Sequence, residues 1–133
     1  MEKTRTFEEL EVWKIAHVFT LEVYKVTEAF PKNELFGLVS QLRRASVSIT
    51  VNIAEGYKKK GKSDKLRLFY ISRGSMEECR YYIILGKDLN YFGMDVYSLL
   101  IEKLEQTSRL LSAYCHSISH SQNKLDSLTS SIN

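Results

Sequence analysis

Apolar residues recur every three or four positions through most of this chain, which is the spacing of one face of an α-helix. The first run follows a Thr-x-x-Glu box at Thr6 and Glu9, a typical helix start. It stops before Pro31, because proline disfavours helical backbone in the residue that precedes it. We therefore predict a first helix over residues 7–30. Its core stripe comprises Val12, Ile15, Ala16, Phe19, Val23, Val26 and Phe30.

Three further runs with this spacing predict helices over residues 33–57, 63–89 and 95–118. The segment SVSITV at 46–51 also has the β-branched alternation of a strand. We interpret it as helix because the helical spacing continues on both sides. Residues 120–133 are polar and serine-rich, and we predict a disordered tail there. Residues 1–119 are thus expected to form one all-α domain, an antiparallel up-down-up-down four-helix bundle.

The first two predicted helices carry a second apolar flank beside the core stripe. Such a helix either lies deep in its bundle or also contacts another subunit. From these flanks we select a candidate oligomer interface that consists of Trp13, Tyr24, Val47 and Val51.

Positive charge is concentrated in the turn between the second and third helices. Residues 58–67 contain six cations and only Asp64 as an opposing charge, a net +5, whereas the whole chain carries +3. Such a cluster is typical of a solubilising turn or of a patch that neutralises phosphates without reading sequence. Arg43 and Arg44, adjacent residues of the second predicted helix, are a further candidate. They are either solvated helix residues with no function or part of the same anion-binding surface. The candidate nucleic-acid site comprises Arg43, Arg44, Lys58, Lys59, Lys60, Lys62, Lys65 and Arg67.

Few residues are candidates for catalysis or metal binding. His116 and His120 have the i, i+4 spacing of helical zinc sites, but no third ligand is evident near them. Phosphate-binding glycine loops and nucleophile elbows do not occur. We therefore expect no enzyme activity, cofactor or metal. Five polar residues of the second and third helices instead predict a structural network that sets helix register: Asn52, Glu55, Arg73, Glu77 and Arg80.

The sequence also predicts where the protein resides. No apolar run approaches the roughly 18 residues of a membrane span, and the N-terminus lacks an apolar signal core. We therefore expect a cytoplasmic protein with no membrane contact. Cys79 and Cys115 form no C-x-x-C pair and are expected to be buried, reduced thiols.

Four stretches, of which the second and third overlap at QLRRA, resemble one protein family: FEELEVWKIAHVF, FPKNELFGLVSQLRRA, QLRRASVSITVNIAEGY and RLFYISRGSMEE. In this order they resemble the four-helix bundle proteins encoded in intervening sequences of bacterial 23S ribosomal RNA genes. A related branch is the accessory variability protein of diversity-generating retroelements. The resemblance spans about residues 7–118. It implies a ring-like homopentamer with a basic surface that faces nucleic acid, and in the retroelement branch the ring partners a reverse transcriptase.

The resemblance also assigns residues to the family's motifs. Its paired arginines correspond to Arg43 and Arg44, its Asn-Ile-Ala-Glu-Gly run includes Asn52, Glu55 and Gly56, and its Arg-Gly-Ser corresponds to Arg73, Gly74 and Ser75. We predict a non-enzymatic homo-oligomer that presents a basic surface to structured RNA or DNA. The alternative is a scaffold that docks a protein partner such as a polymerase, with lysines that only keep the turn soluble.

Overall fold

The computed structural model describes residues 6–132, with side chains described as far as His120. Within that range the chain forms four α-helices and no strand: α1 (Glu11–Thr27), α2 (Ser40–Lys58), α3 (Lys62–Asp88) and α4 (Met94–Ile132). Helices α1 and α3 each pack against both α2 and α4. The predicted antiparallel four-helix bundle is confirmed. None of the described helices combines the length and apolar character needed to cross a membrane.

Each helix turns one apolar face into a shared core. The fully buried core side chains include Phe19 and Val23 of α1, Leu42, Ile49 and Ile53 of α2, Phe69, Cys79 and Ile83 of α3, and Leu100, Leu104 and Leu111 of α4. Burial of one large apolar side chain contributes about 1.5–3 kcal/mol. The core therefore fixes the helices against one another along the length of the bundle.

Small residues bring α2 and α3 close together. An ideal Cβ on Gly56 would lie 2.5 Å from Cε1 of Phe69, so only glycine fits there without a shift. Further along, the Ser72 hydroxyl donates to the Ile49 carbonyl oxygen at 2.9 Å. Because α2 and α3 flank the basic turn, their close packing holds that turn at one end of the bundle.

Helix α1 begins at Glu11, so its predicted start at residue 7 is wrong. Thr6 makes no side-chain cap bond, and Phe7–Glu9 form a separate 3-10 turn. Leu10 then adopts an extended conformation, with φ −75° and ψ 129°. The Leu10 side chain packs against the core. The capping box does not form because the chain leaves the helical path at Leu10.

The connection between α1 and α2 is longer than predicted, because α1 ends at Thr27 and α2 begins only at Ser40. It contains a 3-10 turn, Lys32–Glu34, and a widened π-type turn, Leu35–Val39. The backbone departs from helical geometry at Gly37, with φ −111° and ψ −112°.

Glu34 anchors this connection to the α3–α4 turn. Its carboxylate accepts the Leu38 backbone N–H at 3.3 Å and the Tyr91 hydroxyl at 2.7 Å. The hydrogen bond to Glu34 raises the pKa of Tyr91. The same segment leaves Phe36 92% exposed, which matters for the surface described below.

The other end of α3 closes with a Schellman motif. Asn90 has a positive φ of 63°, its N–H donates to the Lys87 carbonyl, and the Tyr91 N–H donates to the Gly86 carbonyl. Helix α4 then extends to Ile132, beyond its predicted end at 118 and into the polar segment for which we predicted a disordered tail. Neither glycine nor proline, the residues most unfavourable in a helix interior, follows Gly93 in the sequence.

Candidate nucleic-acid interface

The basic turn lies at one end of the bundle, where α2 ends at Lys58 and α3 begins at Lys62. Lys59 leaves the helix in an extended conformation, with φ −69° and ψ 141°. Five cations here reach solvent, Lys62 partly and the others as exposed residues. We call them the basic cap: Lys58, Lys59, Lys60, Lys62 and Arg67. Their ammonium and guanidinium groups are available to an anionic partner at this end of the bundle.

Lys65 belongs to the predicted set but has a different role. Its ammonium donates to the carbonyl oxygens of Gly56 at 3.2 Å and Tyr57 at 2.6 Å. It also lies 5.5 Å from the centre of the Tyr57 ring. Partial burial lowers the pKa of Lys65. Lys65 therefore caps the C-terminal end of α2, where a positive charge complements the helix dipole.

Arg43 similarly caps the end of α1. Its Nε donates to the Thr27 hydroxyl at 2.9 Å, and its Nη2 donates to the Tyr24 carbonyl at 3.3 Å. The guanidinium carbon lies 4.6 Å from the centre of the Tyr24 ring, within the range of a cation–π contact. These contacts hold Arg43 in a structural position, whereas its neighbour Arg44 is exposed.

The structure separates the arginine pair from the basic cap. Arg43 and Lys58 lie near opposite ends of α2, and the helical rise places them about 22 Å apart along the axis. One protomer therefore does not bring the eight predicted residues onto a single surface.

Arg43 and Arg44 instead line a cleft of about 500 Å³ near the beginning of α2. Two predicted interface residues, Tyr24 and Val47, line this cleft. A third, Val51, lies one helical turn after Val47 in α2 and is 43% exposed. We call this cleft the aromatic–arginine cleft. It is lined by Tyr24, Leu35, Phe36, Val39, Ser40, Arg43, Arg44 and Val47.

Trp13, the fourth predicted interface residue, is engaged within its own protomer. Its ring stacks on His17 at 4.9 Å and meets the edge of Phe7 at 5.0 Å. The side chain is partly buried against the core. These contacts give Trp13 a packing role whether or not a second subunit is present.

The five residues of the predicted polar network do not form one cluster. Arg80 pairs with Glu105 of α4 and lies 3.7 Å from Glu77 in its own helix. Asn52 donates to the carbonyl and hydroxyl oxygens of Ser48, at 2.9 and 3.2 Å. The Arg80 contact therefore joins α3 to α4, and not α3 to α2 as predicted.

The remaining two network residues, Arg73 and Glu55, are exposed. The Arg73 guanidinium lies 5.9 Å from the centre of the Tyr70 ring. Glu55 lies beside the basic cap, in a cleft of about 370 Å³ that we call the cap cleft. It is lined by Phe7, Ala54, Glu55, Lys58 and Lys59. This cleft was not predicted from the sequence, although Glu55 and Lys58 have the spacing of one helix face.

The cysteines and histidines offer little chemistry in the described part of the chain. Cys79 and Cys115 are buried free thiols, as predicted, and burial raises the pKa of Cys79 to about 12. The rings of His116 and His120 stack at 5.8 Å. Among the residues with described side chains, no group of three or more histidine, cysteine or acidic residues is placed to hold a metal ion.

Fold and site together define a small antiparallel helical bundle with a basic end. The profile of the family described as 23S rRNA-intervening sequence protein matches residues 8–113. The chain belongs to this family, which confirms the resemblance seen in its motifs.

One solved structure with a similar fold is that of a protein of unknown function from the S23 ribosomal protein family of Bacteroides thetaiotaomicron. It is 20% identical to this chain, with a TM-score of 0.71, and the match covers 78% of this chain and 97% of that one. At this identity the likeness shows the fold. No curated protein matches the sequence.

Proposed function

We propose that this chain is a non-enzymatic, homo-oligomeric protein of the cytoplasm whose basic cap binds the phosphate backbone of structured RNA. The observation that carries the proposal is that five cations, four of them exposed and Lys62 partly so, lie at one end of a chain whose net charge is only +3. The family description refers to 23S rRNA, so RNA is the first ligand to test, and duplex DNA the second.

Binding would proceed through charge neutralisation. Lysine ammonium groups that contact phosphates release condensed counterions, and the resulting affinity depends steeply on salt but little on sequence. The ring-like homopentamer implied by the family would repeat the basic cap in each subunit. Several caps that bind one RNA would gain affinity through effective concentration, which compensates for the modest charge of each protomer.

The experiment is fluorescence anisotropy of a labelled structured RNA and a matched duplex DNA, with protein freed of co-purified nucleic acid. We expect the binding constant to fall steeply across a salt series. A variant with Lys58→Glu, Lys59→Glu and Lys60→Glu should lose binding while its circular dichroism stays unchanged. The matched control carries Lys25→Glu, Lys32→Glu and Lys87→Glu, which impose the same charge change toward the opposite end of the bundle. Equal affinity of the two triple variants would refute the proposal.

The second candidate is a scaffold that docks a protein partner such as a polymerase. It is favoured by the 92% exposure of Phe36 and the 50% exposure of Leu35 at the aromatic–arginine cleft. Large apolar residues exposed beside arginine are typical of protein interfaces. Under this function Phe36→Asp should abolish partner binding, and reversal of the cap lysines should leave it intact.

A further inference from the structure

The cap cleft contains a carboxylate in the most basic part of the protein. Glu55 precedes Lys58 by three positions, so these two residues lie on one face of α2, and Lys59 follows directly after the helix ends. Yet within the described side chains no ion pair joins Glu55 to either lysine. The Glu55 carboxylate is exposed to solvent and lines the cleft together with the two lysines. It can therefore accept hydrogen bonds from a ligand.

Phe7 provides an aromatic surface for the same cleft. The Phe7–Glu9 turn packs against α2, and the Phe7 ring is held by its edge contact with Trp13. Trp13 is in turn stacked on His17 and packed against the core. The Phe7 ring is thus positioned before any ligand arrives, and aromatic rings held in this way stack on unpaired nucleobases.

We propose that the cap cleft holds one unpaired guanine base of the bound RNA. An ionised glutamate only accepts hydrogen bonds, and guanine is the base whose pairing edge presents two adjacent donors, N1–H and the N2 amino group. Adenine and cytosine each place a ring-nitrogen acceptor beside their amino group, and uracil has a single N–H between two carbonyls. Glu55 would accept both guanine donors while Phe7 stacks on the ring.

The two lysines complete the site. Lys58 and Lys59 line the cleft on the side of the basic cap, where they can reach the phosphates that flank the inserted base. The cleft volume of about 370 Å³ lies within the range of about 300–1,000 Å³ that is usual for small-ligand sites. Glu55 would thus add base preference to an interface that otherwise recognises only charge. This inference rests on the proposed RNA-binding function.

The test uses labelled RNA hairpins that share one stem and differ at a single loop nucleotide. We expect the guanine loop to bind about tenfold more tightly than the adenine, cytosine or uracil loop. An inosine loop, which retains N1–H but lacks the N2 amino group, should fall between guanine and adenine. Glu55→Gln should remove the preference for guanine, and Glu102→Gln, an exposed glutamate of α4, should retain it.

The outcomes separate this inference from the proposed function. Equal affinity for all four loops, with a steep salt dependence, would overturn the guanine site and leave the basic cap as an electrostatic surface. A guanine preference that survives Glu55→Gln would also overturn it. Absence of salt-dependent binding to every hairpin would overturn both proposals. Phe7→Leu provides an independent test, because loss of the stacking ring should weaken the guanine loop about tenfold while Phe7→Tyr restores it.

Discussion

Gly56 and Gly74 are two helical glycines with opposite surroundings. A Cβ on Gly56 would lie 2.5 Å and 2.9 Å from Cε1 and Cδ1 of Phe69, a fully buried ring that also contacts Tyr114 at 5.4 Å. Gly56→Ala should therefore destabilise the protein by about 1–3 kcal/mol, as overpacked cores do.

Gly74→Ala is the matched control, because nothing lies within 4 Å of the position that its Cβ would occupy. It should be neutral or stabilise the fold by up to about 1 kcal/mol, the helix propensity difference between alanine and glycine. Urea unfolding followed by circular dichroism measures both variants. Equal free energies of unfolding for Gly56→Ala and wild type would mean that the Phe69 ring can move to make room for the methyl group. The close α2–α3 contact would then not require glycine.

Cys79 gives the stability a defined pH dependence. Burial, with a smaller effect from Glu78, raises the pKa of its thiol from the ordinary value of 9.0 to about 12. Below pH 9.0 the thiol is neutral in both states, and this contribution to stability is fully present. Above pH 9.0 only the unfolded thiol ionises, so the contribution is lost as pH rises toward 12, by at most about 1.4 kcal/mol per pH unit.

Urea unfolding of wild type and Cys79→Ala on both sides of pH 9.0 isolates the contribution of the Cys79 thiol to the free energy of unfolding, because the other titrating groups are common to the two proteins. The wild-type free energy of unfolding should fall more steeply with alkaline pH than that of Cys79→Ala. Parallel pH profiles would show that the thiol is accessible to ionisation in the folded state.

At the scale of helices, Lys65 caps the C-terminal end of α2 and Arg43 caps that of α1. Arg43 donates to the Tyr24 carbonyl and to Thr27, in the last turn of α1. Arg43→Ala should lower the free energy of unfolding by about 1–2 kcal/mol, because the donor is charged and partly buried. The exposed Arg44 is the natural control, and Arg44→Ala should change stability by less than about 0.5 kcal/mol.

Thermal or urea unfolding of the two alanine variants measures this difference. Both variants should bind RNA nearly as tightly as wild type, because the arginines lie about 22 Å along α2 from the basic cap. A large loss of RNA affinity for Arg43→Ala with unchanged stability would reverse the assignment and make Arg43 a ligand contact.

Segment 46–51 shows why the helices could be predicted from sequence. Its β-branched alternation is that of a strand, yet Leu42, Ile49 and Ile53 are buried at helical spacing. Two of its three hydroxyl groups are satisfied inside the helix, since Ser46 donates to the Arg43 carbonyl and Thr50 to the Val47 carbonyl, both at 2.8 Å. The third, that of Ser48, lies 2.7 Å from the Ser75 hydroxyl of α3. The apolar period therefore decided the structure against the local propensity.

Helix ends were harder to predict because distant residues decide them. Glu34 anchors the irregular turn before α2 by accepting a hydrogen bond from Tyr91, 57 positions away in sequence, and no local pattern contains that contact. The site shows the same limit. The lysine cluster is visible in the sequence. The hydrogen bonds that Lys65 and Arg43 donate to backbone carbonyl oxygens could not be predicted, because they depend on where α2 and α1 end.

The whole molecule presents different chemistry at the two ends of α2. The basic cap lies where α2 meets α3, and the aromatic–arginine cleft lies near the beginning of α2, beside the end of α1. Separate surfaces allow one protomer to bind an anionic partner at one end while Phe36 and its neighbours contact another subunit. The two proposed activities, RNA binding and self-assembly, should then be separable by substitution.

Sedimentation velocity tests this separation. Wild type should sediment as an oligomer of the 15.4 kDa protomer, and Phe36→Asp and Val51→Asp should shift it toward the protomer with unchanged helical content. Both side chains are exposed, by 92% and 43%, so the charge does not enter the core. Trp13→Asp should instead reduce stability, because Trp13 packs on Phe7, His17 and the core. A wild-type protein that sediments as a 15.4 kDa monomer would contradict the oligomer, and the exposed Phe36 would then favour a different protein as its partner.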